Sequence, residues 1–229
     1  MQPYFFPYIG YFQLMNSVDK FIIYDNIQFT KKGWIQRNRI LLNHKEHIIS
    51  LPIKKDSSFL NIDKREISHS FIQDKEKLKR KVENAYKKAP NFDKTYQLFC
   101  SILDYDNLNL FDFLFNSINL INKHLNINVE LIKSSELSIN IEDFKGKNKV
   151  LAILKSLEAV EYINPIRGTD LYKKLDFHKE NINLHFIKSD LIEYKQYSND
   201  FIPWLSIIDI MMFNNPIQIS KMLNNYKLT

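Results

Sequence analysis

Gln2 to Tyr11 reads QPYFFPYIGY, a segment dense in groups that could hold a ligand. Pro3, Pro7 and Gly10 fix a loop that delivers the chain to a helix start. Free backbone N–H groups there can hold an anion. Tyr4, Tyr8 and Tyr11 offer ring faces for stacking and hydroxyls for hydrogen bonding. A second segment carries Asp25 and Gln28, then Lys31-Lys32-Gly33-Trp34 and Arg37-Asn38-Arg39. Asp25 ends a strand, where open α/β sheets place ligand groups. Arg37 and Arg39 alternate on one strand face, with Asn38 on the other. Paired guanidinium groups suit bidentate recognition of phosphate or carboxylate. The third segment runs Asn164-Pro165-Ile166-Arg167-Gly168, then Tyr172. The fourth places Ser206 and Asp209 three apart on an apolar helix, so they share a face. An aromatic core plug, a salt-bridged strand edge and helix capping are the structural alternatives for these segments.

The periodicity supplies elements to position them. Tyr11, Leu14, Met15 and Val18 mark a short helix, and Phe21 to Tyr24 a strand. Ile40 to Leu42 and Ile48 to Ile53 read as strands joined by the turn Asn43-His44-Lys45. Leu78, Val82 and Ala85 mark a helix that Pro90 ends. Helices follow over Asp93 to Leu103 and Phe111 to Leu125. Strand and helix then alternate, and the tail holds two helices, the second opened by Asn215-Pro216. The pattern predicts one α/β domain over residues 1–229, with a helical insert at about 72–125 and C-terminal helices. The four ligand-bearing segments are expected to converge on one pocket.

Composition narrows the chemistry. The net charge of +6 favours an anionic partner. Five basic residues and no acidic one lie between Phe29 and Lys45, although a solvated basic edge would look the same. Only four glycines occur, and none forms a G-x-G-x-x-G or Walker A loop. No Cys/His spacing suits zinc, so no metal and no cofactor is expected. The single Cys100 reads as core and allows no intrachain disulfide. Phe201 to Phe213 is too short and too interrupted to span a bilayer, and no signal peptide is visible. A soluble cytoplasmic protein is expected. Asp104-Tyr105-Asp106 admits a metal-dependent glycosyltransferase, but lies between helices. The basic stretch is short for nucleic acid, which is not the expected partner.

In order along the chain, these segments resemble the WbqC-like family of bacterial proteins. The resemblance is carried by QPYFFPYIGYFQLM, VDKFIIYDNIQFTKKGWIQRNRIL, Tyr86 to Pro90, Ser134 to Leu137, YINPIRGTDLY and PWLSIIDIMMFN. It implies a transferase of surface-polysaccharide (O-antigen, lipopolysaccharide) biosynthesis. Such an enzyme attaches an acyl or aminoacyl group, glycyl for example, to the amine of a nucleotide-linked deoxyamino sugar. The alternative is a non-catalytic module that binds the same sugar nucleotide. The sugar, the acyl donor and the oligomeric state stay open. In this setting Lys32, Arg37, Arg39 and the helix start at Gly10 would hold the diphosphate. Tyr4, Tyr8 and Trp34 would stack on base or sugar, with Tyr11, Gln28, Asn38, Asn164, Gly168 and Ser206 completing the binding surface. Asp25 would act as general base, with Tyr172 and Asp209 as further catalytic groups. Two departures stand out. Members resembling this chain carry a short apolar strand before the QPYFFP motif, so the sheet is expected to lack a strand at its N-terminal edge. Arg167 stands where a glycine or small residue is expected.

A weaker likeness concerns Tyr8-Ile9-Gly10-Tyr11, which has the layout of the H-x-G-H signature of adenylyltransferases, with tyrosines for both histidines. It points to a Rossmann-like, mostly parallel sheet rather than to a reaction.

Overall fold

The computed structural model describes residues 1–197 and 200–229. Helix α1 (Ile9–Asn16) leads into strand β1 (Lys20–Ile23). Strands β2 (Arg37–Leu42) and β3 (Lys45–Ser50) form an antiparallel hairpin. Asn43 and His44 turn it with φ of 51° and 59°, the left-handed pair that a tight two-residue hairpin loop requires. Three helices follow: α2 (Phe71–Tyr86), α3 (Phe92–Leu103) and α4 (Leu110–His124). Strand β4 (Glu130–Lys133) then pairs with β1 in parallel. Helix α5 (Gly146–Ser156), strand β5 (Glu161–Pro165), helix α6 (Lys174–His178) and strand β6 (Asn183–Ser189) come next, with β5 and β6 parallel. Helices α7 (Ile207–Phe213) and α8 (Pro216–Leu223) precede strand β7 (Tyr226–Leu228), which pairs antiparallel with β6.

The fold is mixed α/β, and the helical block from Phe71 to His124 falls where the pattern placed it. The single, mostly parallel Rossmann-like sheet is not what forms. Among the described residues the strands divide into sheets of two, two and three. The division has a local cause at β1. One edge of this short strand is taken by β4, and among the described residues the other meets Met1. The Met1 amine donates to the Ile22 carbonyl at 2.6 Å, and the Tyr24 N–H donates to the Met1 carbonyl at 2.8 Å. Those two bonds are the pattern of a parallel bridge opposite Ile23. Among the described residues no strand ladders β1 to β5, and α1 packs on β5, β6 and α8. Burial of the Met1 amine pushes its pKa down to about 5.

Two apolar cores result. The larger joins α1 to α4, α7 and the β2–β3 hairpin, around Phe5, Phe12, Phe99 and Phe113. The smaller lies under β5 and β6, around Leu154, Phe177, Leu184 and Phe186. Helix ends follow their sequence signals. Pro90 follows the last turn of α2, where the Ala89 N–H closes on the Tyr86 carbonyl. Asn215 and Gln218 form a reciprocal capping box at α8, with Pro216 at its first position. Among the described residues no helix is long and apolar enough to cross a membrane.

Candidate functional site

The QPYFFP segment is held from beneath by a buried polar knot. Phe5 and Phe6 are fully buried, and Phe6 takes a left-handed φ of 45°, costly for a bulky residue. Asn38, on the inner face of β2, donates its Nδ2 to the Phe5 and Phe6 carbonyls at 3.0 and 2.7 Å. The Ser206 hydroxyl donates to the same Phe6 carbonyl at 2.9 Å, and the Ile207 N–H donates to the Pro7 carbonyl at 3.0 Å. The Phe5 N–H reaches the Trp34 carbonyl, and the Ser206 N–H reaches the Arg39 carbonyl. Three of the four sequence segments therefore meet here through direct hydrogen bonds.

Asp209 lies deeper, with no exposed surface. Its carboxylate accepts from the hydroxyls of Tyr86 and Tyr194 at 2.7 and 2.6 Å, and from Gln196 Nε2 at 3.0 Å. The Tyr86 oxygen in turn accepts the Leu41 N–H. Desolvation pushes the Asp209 carboxyl above its ordinary range, and these hydrogen bonds oppose the shift. Asp25 is similarly occupied. Its Oδ1 accepts from the Ser134 hydroxyl at 2.6 Å and from the Asn26 and Ser135 N–H groups, and its Oδ2 accepts from the Ser135 hydroxyl. The carboxylate pins the end of β1 to the 3₁₀ turn Ser134–Glu136 that follows β4.

Above the knot lies an open rim of different character. Tyr8, Trp34 and Trp204 are 37%, 43% and 47% exposed. The guanidinium carbons of Arg37 and Arg39 stand 5.8 and 5.4 Å from the Trp34 ring centroid. Arg39 is committed: it pairs with Glu46 at 2.8 Å and donates to the Trp204 carbonyl at 3.0 Å. That bond accompanies a left-handed φ of 60° at Trp204. Arg37 has no ion-pair partner among the described residues, and its buried Nε has no hydrogen-bond partner. The Tyr8 ring meets Trp204 edge-on at 6.0 Å. Beneath Tyr8 and Trp204 a cavity of about 20 Å³, lined also by Asp190, Leu191 and Phe201, has room for a water only. A larger ligand would lie across the rim.

Tyr8 joins this rim to the third segment. Its side chain folds back over α1: a Cβ on Gly10 would fall 2.4 Å from the Tyr8 ring and 2.6 Å from Ser189 Oγ. Burial raises the Tyr8 pKa, against the pull of the Ser189 hydrogen bond and the nearby Arg167 charge. Among the described residues Arg167 also has no ion-pair partner. Gly168 has its own reason: a Cβ there would strike Asn164 Oδ1 at 2.0 Å. Asn164 donates its Nδ2 to the Tyr162 hydroxyl at 2.5 Å. Tyr162 and Tyr172 both pack on Phe177, at 5.7 Å between centroids. Burial, then the neighbouring Tyr172 hydroxyl, pushes Tyr24 up to about 12. Burial also raises Tyr162, Tyr172 and Tyr4. All are neutral hydroxyls near pH 7.

The anticipated residues thus fall into groups. Tyr8, Trp34, Arg37 and Arg39 form the rim, and Tyr4, Asn164, Gly168 and Tyr172 its tyrosine-lined flank. Asn38, Ser206 and Asp209 lie underneath. Gly10 is covered by Tyr8, and Tyr11 is buried, bonded to the Gln2 carbonyl. Lys32 is exposed in the turn before Trp34, with a left-handed φ of 61°. Gln28 stands apart, bridged to Asn61 and bonded to the Ser58 carbonyl. Tyr24, Tyr162 and Trp204 border the anticipated residues but were given no role, and Ser189 was not anticipated. Tyr24 and Ser189 are the residues at the C-terminal ends of parallel strands, a signal the sequence did contain. Asp104 pairs with Lys75 and Lys79 at 3.1 and 2.7 Å, and among the described residues no cluster of three or more His, Cys, Asp or Glu could hold a metal.

Fold and site together define a mixed α/β protein with a face built from aromatic rings and unpaired guanidinium groups. The chain belongs to the WbqC-like protein family, whose model matches residues 2–221. It is 28% identical over 217 residues to the uncharacterized protein Rv1507c of Mycobacterium tuberculosis, covering 92% of this chain and 90% of that one. No solved structure matches it.

Proposed function

We propose that the protein is a transferase of bacterial surface-polysaccharide (O-antigen) biosynthesis, acylating or aminoacylating the amine of a nucleotide-linked deoxyamino sugar. The observation that carries this reading is the rim itself: exposed ring faces of Trp34, Trp204 and Tyr8 beside the unpaired cations Arg37 and Arg167. A nucleoside diphosphate presents the matching chemistry, a flat ring and adjacent anionic oxygens. In this reading Trp34 and Trp204 stack the base, Arg37 and Lys32 take the diphosphate, and Arg39 orients both tryptophans. The amine nitrogen of the sugar attacks the acyl carbon of an activated ester or thioester. A C–N bond forms, the donor's oxygen or sulfur leaves with its electron pair, and the amine releases a proton.

Asp25 enters this reading as an anchor for Tyr24, because its acceptor sites are filled by Ser134 and Ser135. Asp209 supports the rim from below in the same way. A carboxylate with acceptor capacity near the rim is Asp190, directly after β6, which pairs with Lys227 at a loose 3.8 Å. We assign it the proton. The engagement of both Asp25 and Asp209 favours a second reading, a module that binds the sugar nucleotide without turning it over.

Mass spectrometry of nucleotide-linked amino sugars incubated with glycyl and acetyl donors tests both. A mass gain on the sugar that is lost in Asp190→Asn supports the transferase. Tight binding without any mass gain supports the module. If nucleoside diphosphates fail to bind at all, both readings fall.

A further inference from the structure

Two chemically different surfaces adjoin along the 3₁₀ turn Ile166–Asp170, which carries Arg167 and leads to Tyr172. On one side the polar groups are cationic: Arg37, Arg39 and Arg167. On the other they are tyrosine hydroxyls. We infer that Tyr24, Tyr172 and the Tyr162–Asn164 pair form a separate, uncharged subsite for a polyhydroxylated pyranose ring. This deepens the proposed function and rests on it for the linked nucleotide.

Tyr24 directly follows β1, and Tyr162 and Asn164 sit on one face of β5, two residues apart. Tyr172 arrives from the other direction, after the 3₁₀ turn Ile166–Asp170. The rings of Tyr162 and Tyr172 are fixed from below. Phe177, fully buried, stacks on Tyr162 at an interplanar angle of 22° and meets Tyr172 edge-on at 87°. The hydroxyls of Tyr24 and Tyr172 have no hydrogen-bond partner among the described residues, although both rings are half-buried. A ring ordered by packing whose hydroxyl is left unspent is arranged for a partner outside the chain.

Charge supports the same assignment. The groups that act electrically on Tyr24 and Tyr162 are other tyrosines, and burial alone acts on Tyr172. Each phenol is a donor and an acceptor at once, as is each hydroxyl of a sugar. A diphosphate would find no counter-charge here, whereas a neutral ring would find hydroxyl partners and aromatic faces for its C–H groups. The backbone is committed to the arrangement as well. Gly168 leaves room for the Asn164 carboxamide, which fixes the Tyr162 hydroxyl.

The test uses the full chain and a paired variant, Tyr24→Phe with Tyr172→Phe, which removes two hydroxyls and keeps both rings. Three probes are titrated: thymidine diphosphate, the same diphosphate bearing a 4-amino-4,6-dideoxyhexose, and that free hexose. Calorimetry serves the first two, and saturation-transfer NMR at millimolar concentration serves the third. Affinity for the conjugate should fall about tenfold in the variant, the loss expected for two neutral hydrogen bonds. Affinity for thymidine diphosphate should stay within about twofold, and the hexose signal should disappear. Equal losses for diphosphate and conjugate, or a hexose signal that survives in the variant, would overturn the subsite. So would a wild-type protein that shows no hexose signal and no preference for conjugate over diphosphate. Binding of the hexose without any binding of thymidine diphosphate would leave the subsite standing and remove the nucleotide reading. An unchanged melting temperature in the variant confirms that the rings still pack.

Discussion

The knot under the QPYFFP loop and the rim above it are built from the same kinds of residue, yet they use them in opposite ways. In the knot every polar group named is spent on the protein. Asn38 and Ser206 hold the Phe6 carbonyl, and Asp209 takes bonds from Tyr86, Tyr194 and Gln196. On the rim the arginines differ from one another. Arg39 is tied to Glu46 and the Trp204 carbonyl, while Arg37 stands unpaired over Trp34. Burial separates the two regions less well than satisfaction does. Arg37 has a buried Nε and still belongs with the rim, because that Nε has no hydrogen-bond partner. What marks a binding group here is a fixed side chain with hydrogen-bonding capacity left over.

The comparison breaks most visibly at Asp209. Asp209→Ala leaves two tyrosine hydroxyls and an amide without an acceptor. It should cost roughly 3–5 kcal/mol of stability in denaturant titration, since each buried donor left unsatisfied costs about 1–3 kcal/mol. The surviving folded fraction should bind nucleotide normally. A mild loss of stability with abolished binding would place Asp209 on the functional side instead. Asn38→Ala comes next. It releases the Phe5 and Phe6 carbonyls and should cost about 2 kcal/mol, read by the same titration. Rim substitution should behave in the reverse sense. Arg37→Ala should leave stability within about 0.5 kcal/mol and weaken nucleoside diphosphate binding about tenfold, by roughly 1–2 kcal/mol for a charged hydrogen bond.

The smallest effect is a pH slope. Burial raises the folded-state pKa of Asp209 above its ordinary 3.8, so the folded protein keeps this proton to higher pH than the unfolded chain does. The associated stability is fully present below 3.8 and declines as pH rises through the folded value. Melting curves taken upward from pH 4 should show a decline in the wild type that is shallower in Asp209→Asn. Parallel curves would mean that the three hydrogen bonds offset desolvation entirely.

Much of this fold was legible in the chain, because its helices are punctuated locally. Pro90 closes α2, and Asn215-Pro216 opens α8. Asn43 and His44 supply the turn between β2 and β3. Sheet order was not legible, since it depends on which strands pair across the molecule, and among the described residues β1 pairs with β4 alone of the named strands. The meeting of the first, second and fourth segments was foreshadowed by their shared excess of polar and aromatic residues. The division between knot and rim was not. Nothing near Asp25 announces that Ser134 and Ser135, more than a hundred positions later, will fill its oxygens. Likewise the pairing of Arg39 rests on Glu46 across the hairpin, and no such partner exists for Arg37 among the described residues.

The tryptophans have a practical consequence. The chain contains two, Trp34 and Trp204, and both lie on the rim, each within reach of the Arg39 guanidinium. Light absorbed selectively by indole is therefore emitted from this face alone, and the apolar cores contribute no indole signal. Intrinsic emission should respond directly to whatever covers the rings, with no label attached. Replacing either tryptophan by phenylalanine would leave a single emitter and show which ring a bound molecule touches first.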